Sequence, residues 1–137
     1  MTDVSGVCLP GIVMTPAREL LEMDRLPFPY EDTAVFENRI IYYESSRGCP
    51  YGCSYCLSGI DKRVRWRSLP LVERELDFFL ERNVAQVKFV DRTFNCRREH
   101  ALAVWRYLAE HDNGVTNFHF EIAAELLQAE EIALLQS

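Results

Sequence analysis

Residues 47–59 read R-G-C-P-Y-G-C-S-Y-C-L-S-G, and their reading decides the rest of the chain. Three thiols, Cys49, Cys53 and Cys56, stand in a C-x3-C-x2-C spacing on a loop punctuated by glycine and proline. Thiolates this close in sequence converge on one soft metal centre, and Gly48 and Gly52 give the backbone freedom to wrap around it. Three thiolates leave a fourth position that the loop does not fill. On a [4Fe–4S] cube, that is one iron without a protein ligand, a place for chemistry as well as electron storage.

Other metal and redox readings fit less of the loop. Cys53 and Cys56 alone have the spacing of a thioredoxin-like dithiol, which leaves Cys49 unexplained. A structural zinc site needs four ligands, and Cys96 or His100 would complete one with the loop thiols. Such a zinc-stabilised structural or binding module without turnover stays open at this stage.

The stretch resembles the cluster loop of the radical S-adenosylmethionine (radical SAM) superfamily. Cys49, Cys53 and Cys56 match that family's three cluster ligands, and Tyr55 matches its aromatic residue before the third cysteine. The resemblance implies a [4Fe–4S] cluster whose open iron chelates the amino and carboxylate groups of SAM. It further implies reductive cleavage of SAM to a 5′-deoxyadenosyl radical, hydrogen abstraction from an unknown substrate, and an electron donor such as flavodoxin or ferredoxin.

Around the loop the pattern is strand–helix alternation. A β-branched and aromatic run precedes it, predicting a strand over 39–45. Ser68 is a candidate N-cap with Pro70 in the first turn, and the helix is expected to run to about residue 82. Val72, Leu76, Phe79 and Leu80 form its apolar face, and Asn83 suits its C-terminal end. A second strand is expected over 85–91 and a helix over 96–111, capped by Asn95 and buried through Leu102, Trp105 and Leu108. A third strand is expected over 117–123, with Phe118, Phe120 and Ile122 alternating with His119 and Glu121. A last helix starts near Gln128.

Helices between successive strands predict an α/β fold with a parallel sheet. The resemblance makes this the first half of a partial (β/α)6 barrel, in a core domain spanning 38–137 and truncated after its third strand. Residues 1–37, with prolines at 10, 16, 27 and 29, read as a lead-in with a short helix over 17–23. L-P-F-P-Y at 26–30 is expected to be a linker or a strap on a neighbouring surface. A proline-containing lead-in of this kind resembles the connector from a cobalamin-binding domain in one branch of the superfamily, so cobalamin enters as a cofactor of a longer protein. A fragment with an unpaired sheet edge is also expected to self-associate.

In parallel α/β folds, sites gather at the carboxyl ends of the strands. After strand two, F-V-D-R-T-F-N at 89–95 stands where the resembled family commonly has a Gly-Gly-Glu motif for the SAM amino group. Here Asp91 and Thr93 are the candidates, with helix capping by Asp91 and Asn95 as the structural alternative. In strand three, Glu121 and to a lesser degree His119 are expected to face away from the helices and toward SAM or a substrate amine. Cys8 and Cys96 read as packed or free thiols.

The 137 residues suffice for one domain with a real core, and 48% hydrophobic with 26% charged residues is ordinary for a globular protein. A formal charge of −6 argues against a general nucleic-acid or membrane-surface binder. The charge is uneven, since 47–74 carries six basic residues against Asp61 and Glu73. That basic segment would meet an anionic substrate or partner, or simply face solvent. Five cysteines, three in one loop, do not form a secreted disulfide framework. The Met-Thr-Asp start lacks a positive leader, and the apolar stretch over 4–17 is broken by prolines and too short to cross a bilayer. The expected compartment is a reducing cytoplasm.

Overall fold

The computed structural model describes residues 4–30, 39–59 and 62–136. Its centre is a three-stranded parallel sheet. Strands β1 (Cys8–Leu9) and β2 (Val13–Met14) form a small antiparallel hairpin in the lead-in. Strand β3 (Ile41–Tyr43) pairs in parallel with β6 (Gln86–Phe89), which pairs in parallel with β7 (Asn117–His119). Between them, β4 (Ser46–Arg47) and β5 (Arg65–Trp66) make a separate antiparallel pair. The helices are α1 (Leu69–Glu81), α2 (Arg98–Glu110) and α3 (Ala129–Leu134).

Alternation along the strands puts Ile41, Tyr43, Val87 and Phe89 on one face, in one buried cluster with the apolar stripes of α1 and α2. Val72, Leu76, Phe79 and Leu80 are buried on α1, and Leu102, Trp105 and Leu108 on α2, as the helical periodicity predicts. Phe118 and Phe120 pack against this cluster. Ile122, expected on the same face, is exposed because β7 ends at His119. The opposite sheet face presents Tyr42, Lys88 and His119, which lie side by side in register.

Helix α1 starts after Ser68, which has extended backbone angles but makes no side-chain cap bond; Asp24 instead accepts from the Ser68 amide at 2.7 Å. Asn83 follows the helix with φ of 51°, the left-handed conformation that asparagine tolerates. Helix α2 starts at Arg98 with Arg97 as its N-cap, so Asn95 does not cap it. Helix α3 opens with a reciprocal capping box between Gln128 and Glu131.

The lead-in differs from expectation over 17–23, which is not α-helical; only Met23–Arg25 form one 3-10 turn. Residues 26–30 lie along α1 and β3. Phe28 contacts the rings of Phe78 and Phe79, and the Tyr30 hydroxyl donates to the Tyr42 carbonyl. Arg67 clamps this strap from beneath, donating to the carbonyls of Met23 at 3.1 Å and Leu26 at 3.3 Å. The expected boundary between 37 and 38, and Asp61, lie outside the described residues.

Candidate metal and cofactor site

The cysteine loop leaves the sheet at the carboxyl end of β3, beside the carboxyl end of β6. The Val90 amide donates to the Tyr43 carbonyl at 2.8 Å, so the two chains leave the sheet together. The loop is pinched at its base. Ser46 and Arg47 stand opposite Trp66 and Arg65, and the Arg67 amide donates to the Ser45 carbonyl at 2.8 Å. Residues 48–64 are thus an excursion anchored at both ends, and all three loop thiols are on it.

Gly48 is fixed at this pinch for a steric reason. Its φ is 112°, and an added Cβ would lie 2.3 Å from the Arg63 carbonyl oxygen. Cys49 follows and is buried, its Sγ 3.7 Å from Thr93 Oγ1. Cys53 and Cys56 are exposed and share one turn, the Cys56 amide donating to the Cys53 carbonyl at 3.1 Å. Tyr55 points to solvent at 91% exposure.

Among the described residues, no three Cys, His, Asp or Glu side chains stand close enough together to hold a metal ion. The donor set nonetheless fits a soft cluster. It offers three thiols on one anchored loop, Cys49 buried against the strand ends and Cys53 and Cys56 exposed on the open side. Cys96 is half-buried, and burial pushes its thiol pKa up, with the nearby Cys49 thiol adding to the shift.

Asp91 is fully buried where β6 ends. Its carboxylate accepts from the Ser45 amide at 3.1 Å, the Ser45 hydroxyl at 2.7 Å and the Ser46 hydroxyl at 2.5 Å. Burial raises its pKa, and the serine hydrogen bonds oppose that rise. His100 approaches from α2, its Nε2 3.2 Å from Ser45 Oγ. Because the Ser45 hydroxyl proton goes to Asp91, His100 is the Nε2–H tautomer donating to Ser45. Burial, then the charge of Arg97, depresses its pKa to about 4, which keeps it neutral at pH 7. The trio is no hydrolytic triad, since Ser45 is wholly inaccessible. It is a buried brace between β3, β6 and α2.

A second brace joins β6 to β7. The Phe94 amide donates to the Glu121 carbonyl at 2.9 Å, and Asn95 exchanges two hydrogen bonds with the Ala123 backbone at 2.8 and 2.9 Å. The Glu121 side chain lies on the helix-free face, as alternation predicts, and pairs with Lys88 Nζ at 3.1 Å. His119 is exposed on that face.

Of the sequence candidates, the structure brings Cys49 and Thr93 together, places Asp91 beneath their loop, and sets Glu121 and His119 on the adjoining sheet face. It does not gather Cys53, Cys56 and Tyr55 with them. Sequence reading missed Ser45 and Ser46 as partners of Asp91, His100 as partner of Ser45, and Lys88 as partner of Glu121. The serine pair just before the cysteine loop was a usable signal, and so was Lys88 at an outward position of its strand.

The sequence profile described as the radical SAM superfamily matches residues 43–137. A protein of Pyrococcus horikoshii named as an uncharacterized methyltransferase is 30% identical over 92 residues, which cover 65% of this chain and 18% of that protein. The chain therefore spans under a fifth of the length of the curated relative it matches.

Proposed function

The chain belongs to the radical SAM superfamily, and from that premise we propose that it is the cluster-bearing part of an enzyme that cleaves SAM reductively to generate a 5′-deoxyadenosyl radical. The cluster would be held by Cys49, Cys53 and Cys56. When bound, it supplies one electron, taken from a reductant such as flavodoxin or ferredoxin, and an open iron for SAM. One observation carries the reading: the three-thiol loop is anchored at the carboxyl ends of two parallel strands, with Cys49 seated against Thr93.

The chain's own residues then have distinct tasks. Gly48 permits the tight entry to the loop, and Thr93 donates toward the Cys49 sulfur. Asp91 is buried and committed to Ser45 and Ser46, so it would act on SAM from beneath rather than by contact, and the backbone carbonyls of 91–93 would be the groups to accept from the SAM ammonium. Glu121, paired with Lys88, would contribute from the sheet face, and Tyr55, exposed on the loop beside Cys56, would be available to SAM or the cluster. The parallel sheet is read as the opening half of a partial barrel. The relative's name supports methyl transfer as the reaction outcome, with cobalamin a cofactor of the longer protein.

Anaerobic reconstitution with iron and sulfide, followed by visible absorption, metal analysis and assay of 5′-deoxyadenosine after reduction with SAM, tests this reading. The expected result is a brown, oxygen-sensitive protein with equal iron and sulfide, lost in any of the Cys49→Ala, Cys53→Ala or Cys56→Ala variants and retained in Cys96→Ala. Stoichiometric zinc in a colourless protein, lost in Cys96→Ala, overturns it in favour of a structural zinc module.

A further inference from the structure

Two cavities lie at the strand ends beside the cysteine loop. One, of about 440 Å³, is walled by the strap through Phe28 and by Tyr42. The other, of about 360 Å³, is walled by Gly48, Leu57 and Ser58 of the cysteine loop and by Arg65 and Arg92. Glu44, Arg47 and Val90 line both, so the two adjoin across a shared wall. The first is mostly aromatic and apolar, with Arg67, itself paired to Glu75, besides the shared Glu44 and Arg47. The second carries three arginines against one carboxylate.

That carboxylate is already used. Arg47 Nε donates to both oxygens of Glu44, at 3.0 and 3.1 Å. Arg65 and Arg92 make no ion pair among the described residues. Arg65 donates only to the Leu21 carbonyl at 3.3 Å, and its Nε is buried with no acceptor. It also stands directly opposite Arg47 in the β4–β5 register, where like charges destabilise a strand pair. Arg92 is exposed and Arg65 half-buried, and neither faces a carboxylate partner among the described residues, so the second cavity has a net positive lining that suits an anionic group. An apolar cavity of ordinary ligand size adjoins it.

We propose that the two cavities together are the substrate site, and that the substrate is an amphipathic anion: a phosphate or carboxylate held by Arg65 and Arg92, with an aromatic or aliphatic body lying along Phe28 and Tyr42. The proposal rests on the radical SAM reading, because Gly48, Leu57 and Ser58 flank the cluster thiols and so put the ligand beside the radical's origin. The strap thereby becomes part of the site, since Phe28 supplies one of its walls.

The test is calorimetric titration of the full-length, cluster-loaded protein saturated with SAM, using phenyl phosphate, benzoate, phenol and inorganic phosphate as probes. One of the two aryl anions should bind at least tenfold more tightly than phenol or inorganic phosphate, and which one does so distinguishes a phosphate from a carboxylate ligand. Arg92→Gln should weaken that anion about tenfold or more, the loss of a charge-assisted hydrogen bond, and leave phenol unchanged. Tyr42→Ala should weaken both aryl probes and not inorganic phosphate. The proposal is overturned if no probe binds, if Arg92→Gln and Arg65→Gln bind the anions like wild type, or if Arg92→Gln weakens SAM by the same factor, which would assign the arginines to the SAM site. Cluster and 5′-deoxyadenosine are assayed on the same samples. Anion binding without SAM cleavage sinks the radical reading alone, and SAM cleavage without anion binding sinks this one alone.

Discussion

Ser45 Oγ donates to Asp91 Oδ1 at 2.7 Å, joining the segment that leads into the cysteine loop to a residue two positions past the end of the neighbouring strand. With the Ser45 amide and the Ser46 hydroxyl, the carboxylate receives three hydrogen bonds and no solvent. The loop that carries the three thiols is thus anchored to the sheet by one buried carboxyl group.

Replacing Asp91 by Ala should therefore act twice. Folding stability should fall by about 2–4 kcal/mol in denaturant titration, because three buried donors lose their acceptor. SAM binding to the reconstituted cluster should weaken roughly tenfold or more, as the carbonyls of 91–93 lose their support and the field of the carboxylate is gone. Normal SAM affinity in a destabilised variant would leave Asp91 a purely structural brace.

The same brace predicts a pH dependence. His100 is held near pKa 4 by burial, against an ordinary value of 6.5, so the unfolded chain binds the proton first as pH falls. Its contribution is intact above pH 6.5 and is lost as pH falls toward 4, with a slope of at most ~1.4 kcal/mol per pH unit. Asp91 acts in the opposite sense, since its raised pKa makes the native state hold a proton more tightly than the unfolded chain. Chemical denaturation of the cluster-free protein between pH 7 and 4 should show the histidine loss, and His100→Gln should flatten it. An unchanged slope in His100→Gln would assign the titration elsewhere.

Much of this fold was legible because its signals are local. The apolar spacing of Val72, Leu76, Phe79 and Leu80, and the alternation of Phe118 and Phe120 with His119 and Glu121, are set by helix and strand geometry alone. What escaped reading depends on partners distant in sequence. Glu75 interrupts the apolar face of α1 and is buried there, because Arg67 and the Tyr43 hydroxyl meet it. Asn95 has the composition of a helix cap, yet the Ala123 backbone 28 residues later offers it two hydrogen bonds at once. The placing of three cysteines on one loop after the first strand of the sheet was legible from the sequence, whereas the arginine-lined cavity needed the β4–β5 register.

The Arg67–Glu75 pair should be costly to break. Both side chains are buried, and Arg67 also holds the strap through two carbonyls. Glu75→Ala should destabilise the protein by about 3–5 kcal/mol, since it strands a buried guanidinium, while the double change Arg67→Met with Glu75→Leu should cost much less from the ionic contribution. Protease cleavage within 22–30 should rise in both variants, because each releases the strap. A strap equally protected in the double variant would show that Phe28 packing alone suffices.

Gly48 and Gly52 should differ sharply. A Cβ at Gly48 meets a backbone oxygen, at a φ that other residues avoid, whereas at Gly52 it meets only the flexible end of Lys62 at 3.0 Å. Gly48→Ala should lower cluster content after reconstitution severely, and Gly52→Ala should reconstitute nearly as wild type, both read by iron and sulfide analysis.

On the proposed reading, Thr93 would tune the cluster. Its Oγ1 lies 3.7 Å from Cys49 Sγ, and once Cys49 is a thiolate only the hydroxyl can donate. Hydrogen bonds to ligating sulfurs stabilise the more negative, reduced state and so raise the reduction potential. Thr93→Val keeps the side chain's shape and removes that donor. The cluster should still form, with unchanged iron content, and its midpoint in an anaerobic redox titration should move to a more negative value. Thr93→Ser should restore the wild-type midpoint, because it returns the hydroxyl without the methyl group. A Thr93→Val midpoint equal to wild type would mean that the hydroxyl turns away from the sulfur when the cluster is bound; a Thr93→Ser midpoint as low as that of Thr93→Val would attribute the shift to lost packing around Cys49.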